Sequence, residues 1–242
     1  MKTLLAIAGV AALLWVPRAN ATVEVRIINI DPNGTTIDGD TGWITGTATN
    51  ASFVGAVGNY DITSAVSVAH TTTNPLLDLS YGAHTLTNSN PGTIIIEAMS
   101  NGYTVNTPGF LFLDNGNSLF STGTFTDEAF GGNNNNICPG GVNTCWSTGA
   151  NAAPSGTGSN LIASGGPFTS PTTWSVNKTS SVGNTANPYS LGIVISLANP
   201  TGLSTMTGDA NINFVPEPAS VMLLGGVLLF VAGAVRRKVS RA

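Results

Sequence analysis

The sequence predicts an all-β protein, a β-sandwich of jelly-roll-like or immunoglobulin-like form, with a signal helix at the N-terminus and a single transmembrane helix at the C-terminus. Three observations carry the prediction. Residues alternate at a period of two: Ala210, Ile212 and Phe214 against Asp209, Asn211 and Asn213, and Leu191, Ile193, Ile195 and Leu197 against Gly192, Val194 and Ser196. Clusters such as Asp31-Pro32-Asn33-Gly34 and Ser89-Asn90-Pro91-Gly92 punctuate the chain. Glu, Lys, Arg and Gln are scarce between the ends, and no stretch there sustains an apolar i, i+3, i+4 pattern.

Residues 1–21 have a basic start at Lys2, an apolar run from Leu4 to Val16, and Ala19-Asn20-Ala21 as an A-x-A cleavage pattern. These are the parts of a secretory signal peptide, with Ala19 and Ala21 as the signal peptidase site and Thr22 as the start of the mature chain. Residues 22–215 then form one exported β domain. Besides the two runs above, strands are expected at Val23–Ile30, Trp43–Thr49, Ile62–Ala69, Thr93–Met99, Gly109–Leu113 and Leu119–Thr126. Turns are expected at Asn101-Gly102 and Asp114-Asn115-Gly116 as well. Residues 131–166 hold an Asn run, both cysteines and a Gly/Ser/Ala stretch, which predicts a long flexible loop. The alternative is a linker between small domains at 22–130 and 167–215.

From Ala219 to Val235 there are 17 uncharged residues, which rise about 25 Å as a helix, the short limit for a bilayer core. Arg236, Arg237 and Lys238 follow as a membrane-stop cluster in the tail 236–242. By the positive-inside rule they lie on the cytoplasmic side, with residues 22–218 across the membrane. Val215-Pro216-Glu217-Pro218 stands just before the span. Its prolines fix φ and remove two backbone donors, leaving an extended, unpaired segment that a protease can engage.

The order of Pro-Glu-Pro, apolar span and Arg-rich tail over residues 215–242 resembles the PEP-CTERM sorting signal of Gram-negative bacteria. The resemblance implies that Pro216, Glu217 and Pro218 are recognised by exosortase, a multi-pass membrane enzyme similar to a cysteine protease. It also implies a chain held transiently in the membrane, then delivered to the cell surface or exterior. Such proteins are associated with the cell envelope, exopolysaccharide and biofilm.

Charge agrees with that division. Only 8% of residues are charged and the formal net charge is −4, but the bases sit mostly at the two ends. Residues 22–215 hold 2 bases, Arg26 and Lys178, against 11 acids. A chain so poor in cations offers no basic face for a phosphate backbone, which excludes nucleic acid as a partner.

Little in the interior points to catalysis. There are 2 histidines, His70 and His84, and no G-x-S-x-G, H-E-x-x-H or phosphate-loop motif, so the ectodomain reads as non-enzymatic and without a cofactor. Cys138 and Cys145 are spaced C-x6-C in an exported chain, and a disulfide worth about 2–3 kcal/mol is the first reading. No metal site is expected; the weak candidate is Asp31, Asp38 and Asp40, which match an EF-hand loop only loosely and are explained by turn capping. A glycoside hydrolase needs two carboxylates at a set separation, and Asp127-Glu128 is the other acidic pair, although neighbours on a strand face opposite ways. Trp43, Trp146 and Trp174 with Tyr60, Tyr81, Tyr103 and Tyr189 are the candidates for a sugar-stacking platform, most of them needed for the core. Asn33, Asn50 and Asn177 begin N-glycosylation patterns. The reading is a structural or adhesive surface protein processed by signal peptidase and exosortase. A secreted carbohydrate-binding module is the alternative, and a secreted glycoside hydrolase a lesser one.

Overall fold

The computed structural model describes residues 22–68, 76–87, 90–104, 109–120, 122–132, 159–169, 173–180 and 189–215. Ala19 and Ala21, Pro216-Glu217-Pro218, the span 219–235, the cluster 236–238, Cys138, Cys145, Trp146 and His70 lie outside the described residues. Among the described residues no helix is long and apolar enough to cross a membrane.

The described residues form thirteen strands: β1 (Val23–Ile30), β2 (Ile37–Asp40), β3 (Ile44–Thr45), β4 (Asn50–Val57), β5 (Tyr60–Val68), β6 (Leu77–Thr85), β7 (Thr93–Tyr103), β8 (Phe110–Leu119), β9 (Thr124–Gly132), β10 (Ser159–Thr169), β11 (Thr173–Ser180), β12 (Tyr189–Ala198) and β13 (Thr205–Phe214). They form two antiparallel sheets. Sheet A runs β10-β9-β12-β7-β1-β2, with β3 also on β1, and sheet B runs β11-β8-β13-β6-β5-β4. From β6 onward the chain crosses between sheets at every connection except the β9–β10 hairpin, giving four strands to each sheet. That order is a jelly roll. β1 to β5 extend it on one side.

Side chains of both sheets meet in one core. Val25, Ile27, Ile96, Ile193 and Ile195 from sheet A pack with Ile62, Leu79, Phe112, Ala210 and Ile212 from sheet B, all almost fully buried. Strands on both sides of the expected loop contribute, so 22–130 and 167–215 share a single core and are not two small domains. Cross-sheet hydrogen bonds fix the alignment. Tyr103 Oη donates to the Leu76 carbonyl at 2.8 Å near one end, and Tyr60 Oη to the Gly92 carbonyl at 2.8 Å near the other.

The strands differ from expectation where small residues obscure the pattern. Trp43–Thr49 contributes only the two-residue β3. Gly42 there has φ +62°, a conformation that favours glycine. Leu119–Thr126 is the turn between β8 and β9 together with their ends. Asp114-Asn115-Gly116, expected as a turn, lies in the middle of β8, paired to Val176-Ser175-Trp174 of β11 and Ala210-Asp209-Gly208 of β13. The expected loop 131–166 is shortened at both ends, since β9 continues to Gly132 and β10 begins at Ser159. β10 is an edge strand whose register shifts at Leu161/Ala163 and Gly165/Phe168, which hides its alternation.

Candidate functional site

The acids singled out from the sequence do not converge. Asp31 closes its own turn: its Oδ1 accepts from the Thr35 and Thr36 amides at 2.7 and 3.0 Å, and its Oδ2 from the Thr35 hydroxyl at 3.1 Å. Those amides, Thr36 first, draw the carboxyl below its ordinary range. Asp40 is held by Arg26, whose Nε and terminal nitrogen reach Oδ1 and Oδ2 at 3.0 and 2.6 Å. That hydrogen bond lowers the Asp40 pKa and raises that of Arg26. Asp38 is exposed on β2. Among the described residues no group of three or more His, Cys, Asp or Glu could hold a metal ion.

Asp127 and Glu128 point to opposite sides of β9, Asp127 fully buried and Glu128 half-buried. The partner of Asp127 is Asp114, which reaches it from the facing sheet. Asp114 is fully buried and accepts from the Tyr81 hydroxyl at 2.9 Å and from the Trp174 indole N–H at 2.9 Å. No side-chain N–H serves Asp127 in the same way. Two carboxyls buried near each other do not both ionise readily, because like charge raises the pKa of one of them. Burial first, then the neighbouring carboxyl of Asp114, push Asp127 up to about 8, so Asp127 keeps its proton at neutral pH. The pair is sealed from solvent and cannot act on a saccharide. Sequence reasoning missed Asp114 because Asn115-Gly116 reads as a turn; its phase with Phe110 and Phe112 at period two is the signal that marks it as inward-facing.

Outside the core the two sheets differ. The outer face of sheet A is apolar, with Ile28, Ile30, Ile95, Phe130 and Val194 clustered and Trp43 packed on them. Glu97 lies on that face opposite Arg26, fully buried, and burial pushes its pKa to about 8 against the pull of Arg26. The outer face of sheet B is polar, with Thr207 donating to Asn117 at 3.0 Å and Ser175 to Asn115 at 2.7 Å. Asp78 on the same face is raised to about 6 by partial burial and by its neighbour Asp209. His84 is exposed there, on β6. At the open edge between β10 and β11 a cleft of about 480 Å³ is lined by Ser164–Phe168 and Ser175–Lys178. Asp127 sits behind its wall, where a Cβ on Gly165 would overlap Asp127 Oδ1.

The stacking candidates are spent on the core: Tyr60, Tyr81, Tyr103, Tyr189 and Trp174 are each at most 5% exposed. The asparagines of the three glycosylation patterns, Asn33, Asn50 and Asn177, are exposed.

The remaining site is where the chain leaves the domain. β13 is central in sheet B, between β8 and β6, and ends at Phe214. The next residue, Val215, donates its N–H to the Gly109 carbonyl at 3.0 Å. Residues 214–238 match the family model of the PEP-CTERM protein-sorting motif. The chain is a PEP-CTERM protein. Its motif marks it for export and C-terminal sorting and begins on Phe214, the last residue of β13.

No curated protein matches this PEP-CTERM protein. Solved structures similar to it include the enzymatically active domain of a tailspike protein from bacteriophage CBA120, at 10% identity and TM-score 0.28, covering 66% of this chain and 20% of that one. Another is a carbohydrate-binding module in complex with β-1,4-galactotriose, at 11% identity and TM-score 0.29, covering 69% and 87%. A third is the N-terminal cellulose-binding domain of a Cellulomonas fimi β-1,4-glucanase, at 16% identity and TM-score 0.30, covering 71% and 92%. The PEP-CTERM protein spans a fifth of the tailspike chain. Likeness at this level does not bear on what the PEP-CTERM protein binds.

Proposed function

We propose that this protein is a structural or adhesive component of the cell surface or extracellular matrix, delivered by exosortase and associated with exopolysaccharide or biofilm. Signal peptidase removes residues 1–21, the span 219–235 holds the precursor in the inner membrane with Arg236, Arg237 and Lys238 in the cytoplasm, and exosortase acts at Pro216-Glu217-Pro218. The ectodomain carries no catalytic role, and the Cys138–Cys145 pair forms a disulfide in the exported chain. The observation that carries this reading is the sorting motif at 214–238, placed directly on the end of a folded domain.

Physical chemistry supports the non-enzymatic part. The paired carboxyls of Asp114 and Asp127 are fully buried, Asp31 is engaged in its turn and Asp40 in an ion pair, and Asp78 and Asp209 lie beside each other on the outer face of sheet B, away from the cleft between β10 and β11. Contact with polysaccharide, if the ectodomain makes it, falls to the Asn, Thr and Ser rows of sheet B rather than to stacked rings, because the described tyrosines and Trp174 are buried.

Fractionation of the host, with and without its exosortase, tests the proposal. Release to the surface or medium in the first strain and accumulation in the membrane fraction in the second is the expected result. Equal release in both would overturn it.

A further inference from the structure

β10 and β11 are consecutive in the chain but belong to different sheets, and each is the edge strand of its own. Between them lies the cleft of about 480 Å³, within the size range of small-ligand pockets. Its shape is set by β10. The register with β9 passes from Gly165↔Asp127 to Phe168↔Phe125, so Gly166-Pro167 bulges against the single residue Thr126. Gly166 has φ +82°, and a Cβ there would come within 2.7 Å of the Phe125 carbonyl, so the bulge requires glycine.

β11 supplies the charge. Trp174, Val176 and Ser180 face inward and are buried. Lys178 has the same phase and stands opposite Phe112, a fully buried residue of β8, yet it is exposed. Its stem therefore follows the inner side of sheet B at the open edge and carries the ammonium into the cleft. Residues 22–215 hold 2 bases, and the other, Arg26, is committed to Asp40. Among the described residues Lys178 has no hydrogen-bond or ion-pair partner. No carboxylate lines the cleft, and Asp127 behind Gly165 keeps its proton at neutral pH. In a domain with 11 acids, the lining of this cleft carries a positive charge alone.

The polar remainder of the lining is hydroxyl and amide. Ser175 and Asn177 end the polar outer face of sheet B at its β11 edge, and Ser164 joins them from β10. Ser164 and Asn177 make no side-chain hydrogen bond among the described residues. Resting on the association with exopolysaccharide proposed above, we propose that this cleft binds a sugar residue that carries a carboxylate, with Lys178 pairing the carboxylate and Ser164 and Asn177 bonding the ring hydroxyls. One ammonium serves one carboxylate, and the surrounding acids repel a polymer charged at every residue. The ligand is therefore a glycan whose acidic sugars are spaced among neutral ones. A peptide strand would need a straight edge to pair with, and the bulge at Gly166-Pro167 interrupts β10 there.

The test is titration of the mature protein recovered from its host, read on its backbone amides by NMR, with sodium glucuronate, glucose, inorganic phosphate and tetraglutamate as probes. Glucuronate should shift the amides of Ser164, Gly166, Asn177 and Lys178, and glucose should bind more weakly. Lys178→Met should weaken glucuronate about tenfold, as loss of a charged hydrogen bond does, and Lys178→Arg should restore it. Rising salt should weaken binding to the parent chain. Lys178 is exposed, so neither variant should move the urea midpoint. Unchanged affinity in Lys178→Met, or phosphate or tetraglutamate binding as tightly as glucuronate, would overturn the proposal. So would a Lys178→Met chain that self-associates while glucuronate shifts none of these amides, since Lys178 would then only guard an open edge against strand pairing. Retention on the host's own exopolysaccharide separates this inference from the reading beneath it. Equal retention of the parent chain and Lys178→Met would overturn the site and leave the association standing, and retention of neither would overturn both.

Discussion

The indole N–H of Trp174 on β11 donates to Asp114 on β8 at 2.9 Å inside the sandwich. With the Tyr81 hydroxyl at 2.9 Å it gives one buried carboxylate two donors, while Asp127 opposite has none and its pKa is pushed up to about 8, mainly by burial. A buried hydrogen bond to a charged group contributes roughly 1.5–3 kcal/mol, and an unmet buried acceptor costs comparably. The pair makes the fold dependent on pH.

Asp127 and Glu97 are both raised, mainly by burial, to about 8. A raised acid binds its proton more tightly in the folded chain, so its stabilisation is complete below the ordinary carboxyl range and is lost as pH rises through the folded pKa. Asp40 is depressed and acts the other way, its contribution disappearing only in stronger acid. Urea midpoints should therefore peak in mild acid and fall between about pH 4 and pH 8. Asp127→Asn should flatten that fall by roughly one bound proton. A variant with the same slope as the parent chain would contradict the assignment.

Two glycines make room for the rings that serve Asp114. A Cβ on Gly208 would overlap the Tyr81 ring, and one on Gly116 would overlap Trp174 and crowd the Thr207 carbonyl. Gly208→Ala and Gly116→Ala should each cost about 1–3 kcal/mol, as overpacking does. The double variant should cost less than the sum, because both rings converge on one carboxylate. Chemical denaturation measures all three, and strict additivity would argue against the shared site.

Arg26 holds Asp40 and stands opposite Glu97. Arg26→Met should lose about 1–3 kcal/mol at neutral pH, the lower part of that range reflecting the partial exposure of Asp40. The loss should be larger at pH 9 than at pH 5, because Glu97 is deprotonated only at the higher value and then lacks the positive charge that lowers its pKa. Equal losses at the two pH values would contradict this account.

Both oxygens of Asp31 are used by its own turn and Asp40 is committed to Arg26, which leaves exposed Asp38 without a second carboxylate to bind an ion alongside. Thermal unfolding should give the same Tm with and without a chelator. A Tm that climbs with millimolar calcium and no longer does so in Asp38→Asn would contradict it.

The sandwich was legible where one side chain in two is apolar, as in β12 and β13, and where the run is apolar on both faces, as in β1 and β7. β10 was hidden because its Gly, Ser and Ala residues carry no alternation and two register shifts interrupt it. β8 was cut short by Asn115-Gly116, where Gly is needed for the Trp174 ring rather than for a turn. Asp114 and Asp127 are 13 positions apart and meet only through the pairing of two sheets, which no local spacing encodes. The sorting signal was legible because its three parts are consecutive in the chain and require no tertiary contact.

The central claim is delivery by the C-terminal signal, and intact mass of the native protein recovered from the cell surface or medium tests it most directly. The account predicts a species that begins at Thr22 and ends at or just beyond Val215, within or beside Pro216-Glu217-Pro218. A surface species that retains the chain through Ala242 would contradict it and mean a permanently anchored protein.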